Sequence, residues 1–444
     1  MSFLYILLLG MLSLFFLSYL LSDRDILSPS TMMTIMFSIS SLFAILNIRN
    51  WHIDYNVNAG LITLSGVFIF MLSEVLIKNL IIRSQKRVVS KQIDSEPAIM
   101  GYPINHWKLY LLIITNTFIV IWYFLKIRSL VGSGDISAMF QEYRRMGVNQ
   151  LEGRDVESVG GMIIHFLKIV EGSGYVASYL LLNNIISHYK NKLTNSLLLV
   201  LIILSVLPST FGAGRTQILK LLSAMLIEYY VLWHQKNGWF KNLSWKVIRV
   251  GLTGLLLGIP GFYYSLSLLG RSTSRTLFDY VSDYIASAIV LFSKYVESPV
   301  PVKVWGEESL FSLLKIFNYL GISEKSTSYN LEFRPLGIGL SNIYTFFRRP
   351  LHDFGLLGMY IFVALIAILF AYIYYGKIKY RTKSLKTTRW TLVYGYLYYW
   401  IVLSPIDQYS SAYVSAGTII ILFVIIFLYS FLSGEGMRMR LRWK

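Results

Sequence analysis

The chain contains no cysteine, so no disulfide can brace it and no thiolate can hold a metal. Histidine is scarce, at six residues, which argues against a structural zinc site. Charge is scarce as well: 14% of the 444 residues are charged, where a soluble domain carries about a quarter. That deficit excludes an ordinary soluble globule. Acidic residues are fewest, 23 against 41 Lys and Arg, for a net charge of +18. No internal repeat or low-complexity tract breaks the chain, and residues 1–444 read as one membrane domain.

What fills the sequence instead is apolar. Hydrophobic residues make up 55%, and the mean hydropathy is +0.56. Apolar runs of about 20 residues recur, the length a helix needs to cross a hydrocarbon core roughly 30 Å thick. They predict an all-α polytopic bundle of about eleven transmembrane helices. The predicted spans are Phe3–Leu21, Pro29–Ile48, Gly60–Ile82, Leu109–Ile127, Gly161–Ser187, Ser196–Leu207, Ile218–Trp233, Val247–Leu268, Gly355–Tyr375, Leu392–Leu403 and Ala412–Phe431. The first run is too long for a cleavable signal and has no basic leader, so it is expected to remain as a span.

Most of the positive charge falls in short loops between these runs, which points to orientation in a membrane rather than to nucleic acid. Arg83, Lys86, Arg87 and Lys91 follow the third span, and Lys190 and Lys192 the fifth. Lys236, Lys241, Lys246 and Arg249 follow the seventh; Lys377, Lys379, Arg381, Lys383, Lys386 and Arg389 follow the ninth. With the basic C-terminus they share one side, which is placed in the cytoplasm. A loop from Arg128 to Gly160 and a much longer one over residues 270–353 then lie outside. Within the longer loop, Leu277 to Tyr295 has apolar residues at helical spacing and predicts an amphipathic helix.

The outer side carries Arg128, Arg144, Arg145, Arg154, Arg215, Arg271, Arg275, Arg334, Arg348 and Arg349, against the usual charge bias. A guanidinium fork suits phosphate or carboxylate, so the set reads as an anion site, although each Arg has outer acids to pair with. Pro208 to Thr216 joins two spans through small residues and places Arg215 before a helix N-terminus, a setting for pyrophosphate. Ser341 to Gly358 brings Asn342, Tyr344, Arg348, Arg349, His352 and Asp353 just before the ninth span. Asp353 is either a helix cap or a proton acceptor. Lys168 and Glu171, one turn apart in the fifth span, are placed to pair, and ionisable groups at membrane depth are candidates for function.

The segments FGAGRTQILKLL (211–222) and SNIYTFFRRPLHDFGLLG (341–358) resemble the oligosaccharide repeat-unit polymerases, the O-antigen polymerase family. That resemblance implies glycosyl transfer between undecaprenyl-pyrophosphate-linked oligosaccharides at the outer face of a bacterial cytoplasmic membrane. It also implies a chain-length regulator as partner and needs no cofactor or metal. On this reading Arg215, Arg271, Arg275 and Arg348 hold the pyrophosphate. Asp353, His352 and Glu171 are the candidate bases, and Asn342 and Tyr344 contact sugar. The related ligases carry a His before the matching Asn; here Ser341 stands there, which speaks against a ligase. A lipid-linked oligosaccharide flippase is the rival from another class. Asp23-Arg24-Asp25 is a minor metal-holding candidate on the cytoplasmic side.

Overall fold

The computed structural model describes residues 3–92, 100–132, 134–151, 157–212, 214, 216–241, 276–322, 331–337, 339–406 and 415–434, with side chains up to 83 in the third helix and 147 in the fifth. It is almost wholly helical. In chain order the helices are α1 Phe3–Leu21, α2 Pro29–Leu46, α3 Val57–Gln92, α4 His106–Val131, α5 Ile136–Leu151, α6 Gly161–Ile186, α7 Lys192–Phe211 and α8 Thr216–Asn237. They continue with α9 Leu277–Glu297, α10 Phe311–Tyr319, α11 Arg348–Ile373, α12 Leu385–Val402 and α13 Ala416–Ser433. Strands β1 (Arg334–Leu336) and β2 (Gly339–Ser341) pair as a short antiparallel hairpin.

Among the described residues, 7 helices are long and apolar enough to cross a membrane: α1, α2, α3, α4, α7, α11 and α13. The protein is thus a multi-pass membrane helix bundle. Helices α6, α8 and α12 also form where spans were predicted, but they carry more polar residues: Lys168 and Glu171, Lys220 and Glu228, and Lys386 and Arg389. The predicted span Val247–Leu268 lies outside the described residues.

Two compact units divide the chain. The first comprises Met1–Lys86, Arg275–Gly376 and Tyr399–Thr418. In it α2 packs against α1, α9 and α11. Pro29 opens α2 after Ser28, where its missing N–H and fixed φ fit a first helical position. Helix α9 starts under a reciprocal cap: Thr276 accepts from the Asp279 N–H, and its hydroxyl donates to the Asp279 carboxylate. The sequence predicted an amphipathic α9, yet Ala286 to Ser293 are buried on every face. Small residues explain the difference. Ala286, Ser287 and Ala288 admit α2 closely enough for the Ser40 hydroxyl to donate to the Ile285 carbonyl at 2.7 Å.

Two features of α11 set up the rest. Gly355, at φ 67 and ψ −172, breaks it into a polar turn Arg348–Phe354 and an apolar span starting at Leu356. At the far end, Tyr374–Ile378 form a π turn. There Tyr374 donates to Asp25 at 2.6 Å and Tyr375 to Glu74 at 2.8 Å. Asp23 pairs with Lys78 at 2.7 Å. The Asp23–Asp25 stretch thus serves to fasten helices in this structure.

The second unit comprises Arg87–Ser274, Lys377–Tyr398 and Ile419–Lys444. Its centre is α6, packed on α4, α7 and α8. Gly172, Ser173, Gly174, Ala177 and Ser178 keep that helix slim, and a Cβ at Gly174 would stand 2.1 Å from the Ser205 hydroxyl of α7. Helix α6 ends in a Schellman turn: the Tyr189 N–H donates to the Asn184 carbonyl and the His188 N–H to the Ile185 carbonyl. His188 occupies the left-handed position usually given to Gly, at φ 58.

Candidate functional site

The polar turn of α11 carries Arg348, Arg349, His352 and Asp353, all buried. One helical turn separates Arg348 from His352 and Arg349 from Asp353, so each pair shares a face. Because Gly355 ends this turn, the charges sit at the mouth of the apolar span and not within it.

Arg348 is fully enclosed. Its two terminal nitrogens reach Glu308 at 2.9 Å and Glu332 at 2.6 Å. The Tyr295 ring lies 3.9 Å from the guanidinium carbon, with the Tyr344 ring at 5.4 Å on the same cation. Glu332 also meets Arg334 at 3.3 Å, and Arg334 donates to the carbonyls of Lys294 in α9 and of Ser298 just after it. Arg348 and Arg334 therefore pair with acids of this same part of the chain. Arg145 does the same in the second unit, with Glu142 at 2.8 Å.

His352 connects two further groups. Its Nε2 lies 3.1 Å from Glu307, and its Nδ1 lies 3.3 Å from the Tyr295 hydroxyl. Burial raises the Glu307 carboxyl, but the Lys303 N–H and His352 outweigh it and hold that carboxyl below its usual range. Glu332 is likewise held low by Arg348 against its burial. Burial moves Glu308 upward despite Arg348, and it pushes the Tyr295 phenol up to about 12. In the tautomer whose Nε2–H donates to Glu307, Nδ1 is left to accept from the Tyr295 hydroxyl. The chain Glu307···H–Nε2–His352–Nδ1···H–O–Tyr295 can take a proton at the tyrosine oxygen and stabilise the imidazolium that results. Four carboxyl groups (Glu307, Glu308, Glu332, Asp353) share this part of the chain with three guanidiniums (Arg334, Arg348, Arg349), and Glu307 and Glu308 both lie within 4 Å of His352 Nε2.

Asp353 does not cap its own helix. Its carboxylate accepts the backbone N–H groups of Glu308 at 3.3 Å and Ser309 at 2.5 Å, fastening the turn that carries Glu307. Tyr344 is buried and donates to the Glu332 carbonyl at 3.0 Å, while Asn342 is half-buried just beyond β2. The structure thus brings together Arg348, His352, Asp353 and Tyr344. Glu171 belongs to the second unit, where Lys220 acts on it more strongly than Lys168, the partner expected from spacing. Arg215, Arg271 and Arg275 lie outside the described residues.

Sequence reasoning missed Tyr295, Glu307, Glu308 and Glu332. Gly306-Glu307-Glu308-Ser309 was the available signal, two adjacent acids in a stretch otherwise poor in charge. Nothing local, however, tied them to residues 40 or more positions away. No known protein family, curated protein or solved structure matches the chain.

Proposed function

We propose that the chain joins undecaprenyl-pyrophosphate-linked oligosaccharide repeat units into a polysaccharide, as an O-antigen-type polymerase of the bacterial cytoplasmic membrane. In this reading about eleven spans place residues 270–353 outside the cytoplasm. The observation that carries it is the Glu307–His352–Tyr295 chain at the mouth of the α11 span. The acceptor sugar hydroxyl attacks the anomeric carbon of the donor. As the C–O bond to pyrophosphate breaks, the leaving oxygen keeps the electron pair. The hydroxyl proton passes to the Tyr295 oxygen while Tyr295 gives its own to His352 Nδ1, and Glu307 offsets the imidazolium. Of the three candidate bases, His352 is the one supplied with both a proton path and a counter-charge. Arg215, Arg271 and Arg275 are assigned to the departing pyrophosphate, since Arg348 already holds two carboxylates. Asn342 and Tyr344 are assigned to the sugar side, and a chain-length regulator is the expected partner.

The test is the polymer profile of a deletion strain. Loss of the chain should leave single repeat units, and the wild-type gene should restore the ladder. His352→Gln and Arg215→Ala, at wild-type abundance, should not. A normal ladder from both variants refutes the proposal.

A second reading, a lipid-linked oligosaccharide flippase, is favoured by one observation. Glu74 and Lys78 are buried in the apolar helix α3, and Glu228 is buried in α8; transporters keep their ion-coupling groups buried among such helices. Movement of labelled lipid-linked sugar across liposomes without new glycosidic bonds supports it. A ligase would instead need a lipid A core as acceptor.

A further inference from the structure

Five helix ends of the second unit meet at one place. His106 of α4 contacts Thr194 of α7, Tyr102 bonds Asn184 of α6, and Lys383, just ahead of α12, donates to Asn183 at 2.6 Å. Lys236 of α8 donates to the last carbonyl of α6. Of the described residues here (100–110, 183–195, 232–241 and 377–392), none is Asp or Glu, while Lys and Arg are many. Several of these cations have internal work: Lys236 and Lys383 as above, and Lys108 on the Phe431 carbonyl. Lys190 and Lys192 are exposed and, among the described residues, make no hydrogen bond or ion pair.

These two lysines line an open surface depression of about 330 Å³ between the end of α6 and the start of α7, with Asn184, Ile185, His188, Tyr189 and Asn195. They flank Asn191, the α7 N-cap, whose side chain accepts the Thr194 N–H at 3.0 Å. That is the positive end of a helix dipole, where cations are the wrong sign unless an anion joins them. Topology bias accounts for lysines in this turn. It does not account for an opening large enough for a glycerophosphate group left between them. Beside it Ile185 and Leu193 are about half exposed, at 53% and 47%, and offer an apolar flank.

We propose that this depression binds the phosphate head group of an anionic membrane phospholipid, with Lys190 and Lys192 on the phosphate and the acyl chains against Ile185 and Leu193. A soluble phosphate ester has the charge but no use for the apolar flank, and a zwitterionic lipid lacks the net charge. The proposal is independent of the polymerase reading.

The test uses the full chain, reconstituted with phosphatidylglycerol and phosphatidylcholine, then delipidated stepwise and examined by native mass spectrometry. Phosphatidylglycerol should be retained preferentially. Each lysine near a membrane surface is worth about fivefold in affinity, so Lys190→Gln with Lys192→Gln should weaken retention roughly thirty-fold. The double Arg variant should retain the lipid, as should Lys241→Gln, an exposed cation of the same end outside the depression. Unchanged elution and tryptophan emission of the double Gln variant exclude misfolding as the cause. Should that variant misfold, the lipid preference of the wild type and competition by glycerol phosphate decide alone. Equal retention of the two lipids overturns the proposal, as does full retention by the double Gln variant or an equal loss with Lys241→Gln. Displacement by glycerol phosphate as effectively as by lipid overturns the lipid assignment in favour of a soluble ester.

Discussion

Removing the Arg348 charge should be among the most damaging single changes in the first unit, and the structure indicates both how much and why. The side chain is fully buried between Glu308 and Glu332 and beneath Tyr295. Arg348→Met keeps most of the apolar stem but leaves Glu308, itself 8% exposed, without its cation. Breaking a buried ion pair from one side costs about 3–5 kcal/mol, since the remaining charge stays desolvated. At about 2–4 °C per kcal/mol for a unit near 200 residues, the unfolding midpoint should drop by roughly 10 °C. The cause is separable from lost packing. Adding Glu308→Gln and Glu332→Gln removes the stranded charges, and replacing a whole buried ion cluster by neutral groups is often close to neutral. The triple variant should therefore recover most of the loss. The assay is the thermal midpoint of purified protein in detergent, read by loss of the monodisperse elution peak. Hydrogen exchange at the Glu308 and Ser309 amides supplements it, because Asp353 holds both. A midpoint for Arg348→Met within about 2 °C of wild type would refute the argument. So would a triple variant no better than the single.

Other consequences are open to measurement. Glu332 has a folded-state pKa below its ordinary value of 4.5, so its stabilisation is present above that pH and fades as pH falls further. The wild-type midpoint should decline between about pH 5 and 3, and Glu332→Gln should flatten that decline, at a lower midpoint near neutrality. Gly355→Ala meets no neighbour but inherits φ 67 with ψ −172, a region open essentially to glycine, and should cost about 1–3 kcal/mol. Gly355→Asn should fare no better by thermal midpoint, which separates this conformation from an ordinary left-handed turn. Gly174→Ala drives a methyl into Ser205 and should cost about 1–3 kcal/mol, with Ser205→Gly restoring much of it in a double-mutant cycle.

How much of this was legible depends on the distance over which the information is encoded. The α1 bounds coincide with the first apolar run, and α2, α3, α4, α7 and α13 lie where hydropathy put them, because a span's length is set by the bilayer and written in consecutive residues. The polar turn that opens α11 was recognised from Arg348, His352 and Asp353 themselves. Their partners were not. Glu307, Glu308 and Glu332 arrive through chain reversals whose geometry no local spacing encodes. Asp353 looked like a helix cap because caps are local, yet it serves a turn 44 residues away. Helix α9 kept the period expected of an amphipathic helix while the small residues of its middle turns let it be covered on all sides. Glu171 illustrates the same limit: Lys168 is its neighbour by sequence, Lys220 by packing.

The Gly355 break has a practical corollary. Upstream of it lies a headpiece in which Arg348, His352 and Asp353 are held by Glu308, Glu332, Glu307 and the Ser309 amide; downstream, from Leu356 to Ile373, stands a stalk of apolar residues interrupted only by Gly358 and two tyrosines. With a glycine joint between them, the rotational phase of the stalk is not handed on to the headpiece as it would be along an unbroken helix. Grafting a different hydrophobic helix after the joint should leave His352 in its surroundings, whereas one residue inserted between Arg348 and Asp353 would turn the headpiece through about a hundred degrees and scatter its contacts.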